Sequence, residues 1–219
     1  MINPREIESH EDLFCRFNDE WMEKKGSVVP YGETLRFGIG ENTIVNYMEL
    51  DFKDRDIHCL DVGCANGWFL VRLKKLGCIA IGKGIDVSKL MADCSVETAK
   101  NYDAELNFDN ISFENFNTED KYDVITMLDV LEHFKDIDIV LNKVVKLLKP
   151  GGFFYGKMRY EHATDAIPHI NFFNVYELGK KLSQFFGRIT VVKINLYESD
   201  KSHLPEWDLV FRCRRSENA

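Results

Sequence analysis

From residue 57 onward, short apolar runs trade places with segments whose apolar residues recur every three or four positions. The first pattern predicts strands and the second predicts helices. "IHCLDV" (57–62), "CIAIGKGIDV" (78–87), "YDVITML" (122–128), "FFYGKM" (153–158), "RITVVKINL" (188–196) and "WDLVFRC" (207–213) read as strands, and a further strand lies within 105–113. Phe69, Leu70, Leu73 and Leu76 have helical spacing, and Gly77 stops that helix. Ser88 caps a helix running to about Tyr102. Ile137, Leu141, Val144 and Leu148 form another helical stripe, closed by "KPGG". Asn174-Val-Tyr-Glu177 has the form of a capping box opening a helix through Phe186. Alternation of this kind specifies a mostly parallel sheet covered on both faces.

The stretch before residue 57 has a different texture. Residues 1–25 are charged, with apolar positions at Ile7, Leu13, Phe14, Phe17, Trp21 and Met22 whose later part fits a one-striped helix. Residues 26–40 carry four glycines and a proline and read as a loop, and a second helix covers 41–50. The division that follows is an N-terminal helical extension, 1–54, and a main domain, 55–219.

Composition narrows the function. A formal charge of −8 argues against a protein whose main task is holding nucleic acid. Arg212, Arg214 and Arg215 form a local basic group, read as a solvated tail. The six cysteines include no CxxC pair, and four stand in or beside apolar runs, as small buried hydrophobes do. A reducing, cytoplasmic setting is expected. No segment has the apolar core of a signal peptide or the ~20 apolar residues of a membrane span, and no metal-ligand spacing is present.

Candidate chemistry centres on "LDVGCANGWFL" (60–70), where a strand ends, two glycines follow four apart, and a helix begins at once. In α/β sheets ligands bind outside the carboxyl ends of the strands, and a turn of this kind exposes backbone N–H groups there. It serves either a ligand or tight packing. The spacing Gly63-Cys-Ala-Asn-Gly67 lacks the G-x-G-x-x-G of a dinucleotide site. Asp86 ends the next strand, where a carboxylate can grip a ribose diol or cap the following helix.

"LDVGCANGWFL", "GIDVS", "KYDVITMLDVLEHF" and "LLKPGGFF", in this order, closely resemble a class I S-adenosylmethionine-dependent methyltransferase over about residues 55–160. "PHINFF" (168–173) resembles the group that methylates small molecules. The resemblance implies a three-layer α/β/α sandwich with a seven-stranded, mostly parallel Rossmann-like sheet. Its C-terminal strand would be antiparallel, and the N-terminal helices would form a lid. It implies S-adenosylmethionine as cofactor, S-adenosylhomocysteine as product, and a small-molecule oxygen or nitrogen acceptor. DNA and membrane are not expected as partners: the place of a nucleobase-amine tetrapeptide is taken by "LDVLEH", and no Pro-Cys dipeptide exists. Alternatives of the same fold are a non-catalytic binding module and an enzyme acting on protein or RNA.

The resemblance also implies residue roles. Asp61 would hold the methionine ammonium. Gly63, Cys64, Ala65, Asn66 and Gly67 would meet the methionyl and ribose portion, Asp86 the ribose hydroxyls, and Val87 the adenine. Ser112 and Phe113 would border the adenine, with Asp109 and Asn115 as alternatives. Leu128, Asp129 and His133 would face the methyl group. His133, His162 and His169 are the candidate general bases, with His133 and His169 favoured.

Overall fold

A computed structural model of the chain describes residues 38–52, 56–160, 170–195 and 207–217. His162, His169 and the predicted first helix and loop up to residue 37 lie outside the described residues. The elements in order are α1 (Ile39–Asp51), β1 (His58–Val62), α2 (Trp68–Lys75), β2 (Ile81–Asp86), α3 (Lys89–Asn101), β3 (Asn107–Asn110) and β4 (Tyr122–Leu128). A 3-10 turn (Leu131–His133), α4 (Ile137–Leu147), β5 (Leu148–Arg159), α5 (Val175–Leu182), β6 (Arg188–Asn195) and β7 (Trp207–Arg214) complete it.

The seven strands form one sheet in the order β3-β2-β1-β4-β5-β7-β6. β7 runs antiparallel to both β5 and β6, and the other pairs are parallel. This is the sheet the sequence predicts. The strand order reverses at β1, with β2 on one side and β4 on the other, and in such sheets ligands bind at the carboxyl edge of that switch point.

Local chemistry sets the helix ends. Ser88 accepts a hydrogen bond from the Met91 N–H, and Asp136 accepts from Asp138 and Ile139, at the starts of α3 and α4. Asn174 and Glu177 form both halves of the capping box at α5. That helix ends at Leu182, short of the predicted Phe186, because Phe186 leaves the helix axis to stack on Phe154 at 5.7 Å. "KPGG" does more than end α4. Leu148 already pairs with Tyr122, the register slips, and Gly151 takes a left-handed φ of +75° before Phe153 joins Val124.

The core has two halves. Between α4, α5 and the sheet lie Val140, Leu141, Val144, Leu178 and Leu182 with Phe154 and Phe211. Burying one such side chain contributes roughly 1.5–3 kcal/mol. On the other face α1 and α2 cover Tyr155 and Val210 through Ile44, Val45, Met48, Leu70 and Leu73. Thus α1, the described part of the 1–54 extension, is layered on the sheet. Its first turn stands near Lys157 and its last residue, Asp51, accepts from the Tyr155 hydroxyl at 2.6 Å and pairs with Arg212.

The third strand spans Asn107–Asn110, within the predicted 105–113, and Ser112 and Phe113 follow it by a turn. One expectation is corrected. Arg212 and Arg214 are no solvated tail. They belong to β7, which lies between β5 and β6, and Arg215 donates to the Leu148 carbonyl.

Candidate functional site

The turn after β1 is bound to β2 through backbone and through the Asp86 side chain. Gly63 and Cys64 N–H groups both donate to the Ile85 carbonyl, at 2.8 and 3.1 Å, and Gly67 N–H donates to the Cys64 carbonyl at 2.8 Å. Gly63, Ala65 and Gly67 all have positive φ, of 68°, 46° and 72°. A side chain at Gly63 would collide with Val130, and one at Gly67 would come within 2.8 Å of Phe108 and Ser95. Packing within the chain therefore already requires both glycines.

Asp86 sits at the end of β2, buried, and fixes this turn. Its two carboxylate oxygens accept from the Ala65 and Ser88 N–H groups, each at 2.9 Å. Asp61, near the end of β1, is buried and accepts from the Thr126 hydroxyl at 2.5 Å. Burial pushes its carboxyl up to about 7, with Asp86 adding repulsion against the Thr126 hydrogen bond.

These residues stand at a cavity of about 510 Å³ at the carboxyl ends of β1, β2 and β4. Gly63, Ala65, Asp86, Val87, Phe113, Leu128, Asp129 and His133 line it. Asp61, Cys64, Asn66, Gly67 and Ser112 do not. Asn66 receives the Trp68 N–H at 3.4 Å, and the buried Ser112 hydroxyl receives the Asn115 N–H at 3.4 Å. Of the alternatives near the third strand, Asp109 pairs with Lys83 at 2.6 Å. The acidic residue that reaches the cavity there is Glu114, beside Ile111 and Phe113. Phe173 packs against the core and Phe172 is exposed, so neither forms the cavity wall.

Asp129 has an unusual setting. It is a non-glycine residue at φ +56°, its N–H donates to the Lys157 carbonyl at 2.8 Å, and its carboxylate meets the Lys157 ammonium at 2.7 Å. Lys157 also meets Glu41 of α1 at 2.8 Å and Asp208 of β7 at 3.6 Å. Burial alone would lower the Lys157 ammonium, but these carboxylates outweigh it and hold it above the ordinary lysine range. The second Asp129 oxygen, Oδ1, is buried and has no hydrogen-bond partner among the described residues.

Glu132 was not singled out by sequence reading, and it is the most buried acid of the 3-10 turn. Burial, with Asp129 nearby, pushes its carboxyl up to about 8. Its Oε1 accepts from Arg159 N–H at 3.3 Å, and its carbonyl accepts from Ile170 and Asn171 at 3.1 Å. Glu132 thus ties the segment after β5 to the turn bearing His133. The usable signals were a carboxylate within the apolar "DVLEH" and a lone lysine within "FFYGKM", because a buried charge needs partners.

The site combines several acids, the buried Lys157 ammonium beside Asp129 and a predominantly apolar cavity, which suits a cationic ligand with an apolar body. Among the described residues no group of His, Cys, Asp and Glu has metal-binding geometry, and no helix is long and apolar enough to cross a membrane.

Comparisons with known proteins bear on the family and the fold. The ubiquinone biosynthesis O-methyltransferase of Pelagibacter ubique (strain HTCC1062) is 28% identical over 159 residues, covering 70% of this chain and 64% of that protein. The chain thus spans less than two thirds of that curated relative. Magnesium protoporphyrin IX methyltransferase from Synechocystis PCC 6803, solved with bound S-adenosylmethionine, superposes with a TM-score of 0.72 at 16% identity, covering 98% of this chain and 100% of that one. A cyclase superposes with a TM-score of 0.71 at 13% identity, covering 95% of this chain and 97% of that one, so the fold hosts more than one chemistry. A sequence profile described as a methyltransferase domain matches residues 43–188, the greater part of the chain, and this protein belongs to that family.

Proposed function

We propose that this protein is an S-adenosylmethionine-dependent methyltransferase acting on an oxygen or nitrogen of a small molecule. The observation that carries the reading is the convergence of Asp86, the left-handed 63–67 turn and Asp129 on one cavity at the carboxyl edge of the sheet. The orphaned Asp129 oxygen and the buried Asp61 carboxyl fit a cationic cofactor. When bound, S-adenosylmethionine supplies an electrophilic methyl group on a sulfonium.

Asp61 would hold the ammonium of the methionyl part, directly or through water. Gly63 and Ala65 bring backbone to the methionyl and ribose portion, in a turn shaped by Cys64, Asn66 and Gly67. Asp86 accepts the ribose hydroxyls. Val87 would pack on the adenine and Phe113 would border it, with Ser112 in the turn beside Phe113. Leu128 and Asp129 border the reacting methyl. Alignment of acceptor and donor supplies much of the rate, on the order of 7–11 kcal/mol in favourable cases.

The relatives' name favours an oxygen acceptor, whose proton needs a base. His133 is half-buried on the cavity wall next to Asp129 and takes that proton. His169 is the second candidate base. Of the 1–54 extension proposed as a lid, α1 is layered on the sheet and reaches the site through the Glu41–Lys157–Asp129 chain.

The test uses S-adenosylmethionine labelled on its methyl group, with a cell extract separated into small and large molecules. Label is expected in the small-molecule fraction. Label confined to protein or RNA would replace the acceptor class, and bound cofactor with no transfer would favour a non-catalytic module. His133→Ala is expected to keep S-adenosylhomocysteine affinity and lose turnover. Asp86→Ala is expected to weaken that affinity by about tenfold or more, since a charge-assisted hydrogen-bond pair is lost.

A further inference from the structure

A second concavity of about 560 Å³ lies at the opposite edge of the sheet from the methyl-transfer cleft and shares no residue with it. It is walled by the end of α1, by Gly151 and Phe153 of β5, and by Arg188, Arg212 and Arg214. These arginines share one sheet face. Arg188 stands directly opposite Arg214 across the β6–β7 pair, and Arg212 stands opposite Thr190, one step along. The face is the one α1 covers higher up, but α1 ends at Asp51 and leaves the arginine rows open.

Two like charges directly opposite on paired strands are destabilising. The chain relieves this on the Arg214 side and leaves Arg188 without a carboxylate among the described residues. Asp51 is the acid lining the pocket. It is committed to Arg212 and to the Tyr155 hydroxyl. Arg214 reaches the exposed Glu217 at 2.7 Å and the Gly151 carbonyl at 3.2 Å. Arg188 is exposed and has no carboxylate partner among the described residues. Arg212 and Arg214 are held in place by the Phe153 ring, 5.2 and 5.6 Å from its centre. In a chain of net charge −8, three arginines thus line one hollow, two of them held in place and Arg188 exposed beside them.

We propose that this pocket binds the phosphate group of a small phosphorylated molecule. Guanidinium forks match phosphate oxygens in pairs, and three forks around one hollow exceed what the two oxygens of a carboxylate can engage. The volume is of the size that holds a small ligand rather than a bare ion. Binding an anion there removes the repulsion between Arg188 and Arg214.

Inorganic pyrophosphate titrated into the protein by calorimetry tests this, alongside Arg188→Ala and Arg188→Glu. Both changes are at an exposed position of a terminal strand, and circular dichroism checks that each variant is folded. Saturable one-site binding is expected in the parent protein, about tenfold weaker in Arg188→Ala and absent in Arg188→Glu. Thermal unfolding supplies a readout that a merely structural arginine would not give. Without ligand, Arg188→Glu is expected to melt higher than the parent, because it replaces repulsion by attraction to Arg214. With pyrophosphate the parent is expected to gain and Arg188→Glu is not. No saturable heat in the parent, or equal affinity in all three proteins, overturns the proposal. Sedimentation with phosphatidylglycerol and phosphatidylcholine vesicles separates the sources of the phosphate. Selective binding to phosphatidylglycerol that pyrophosphate competes away assigns it to a lipid headgroup, and pyrophosphate binding without vesicle binding assigns it to a soluble molecule. Vesicle binding that neither pyrophosphate nor Arg188→Glu affects counts against the pocket.

Discussion

Asp61 is a carboxyl group kept out of water, held by the Thr126 hydroxyl and paired with no cation among the described residues. Its raised value of about 7 has a defined sign in stability. The unfolded group titrates near ~3.9, so below that pH both states carry the proton and nothing is lost. Between there and about 7 the unfolded chain releases its proton first, and stability falls as pH rises. Glu132, raised to about 8, acts in the same direction. Asp61→Asn keeps an oxygen for Thr126 and removes the titration. Urea midpoints measured without cofactor are expected to show the variant gaining on the parent more at pH 8 than at pH 5. The same variant is expected to bind S-adenosylhomocysteine poorly. Equal midpoints for the two proteins at both pH values would remove Asp61 from this role.

At the scale of elements, α5 depends on its cap. Asn174 and Glu177 satisfy each other's backbone donors at 2.9 and 3.1 Å, and the helix brings Leu178 and Leu182 into the core. Asn174→Ala is expected to cost about 1 kcal/mol, read as a lower denaturant midpoint with an unchanged slope. This cap, the Ser88 cap and the Gly77 stop were legible in the sequence because their partners lie within a few residues. β3 was blurred for the opposite reason. It has four residues, three of them exposed, and pairs on one side only, so its apolar signal is weak. The cavity-lining turn was legible as a place, yet its glycines answer to Val130, Phe108 and Ser95, contacts that no spacing rule reveals. The Lys157 cluster was hidden for the same reason, since Glu41, Asp129 and Asp208 come from three distant parts of the chain. The arginine pocket is the extreme case. "FRCRR" reads as a basic tail until β5 and β6 are placed on either side of it.

At the scale of the molecule, the sheet is finished out of order. β7 fills the gap between β5 and β6 although it follows both in the chain. A chain stopped before Trp207 leaves β6 without a neighbour and uncovers one side of β5. Such a truncation is expected to lose near-ultraviolet dichroism and resistance to protease, and the full chain to keep both. A stable truncated protein would mean that β1 to β5 fold alone.

That order also sets a schedule for synthesis. At roughly 5–20 residues per second, the interval between completing Arg159 and completing Arg214 is about 3–11 s. During those seconds the nascent chain presents the open side of β5, rich in Phe and Tyr, to any other strand in reach. The ribosome therefore makes this protein with one side of β5 exposed and its covering strand still to come. Slower growth at low temperature, or extra chaperone, is expected to raise the yield of active full-length protein without changing its melting temperature.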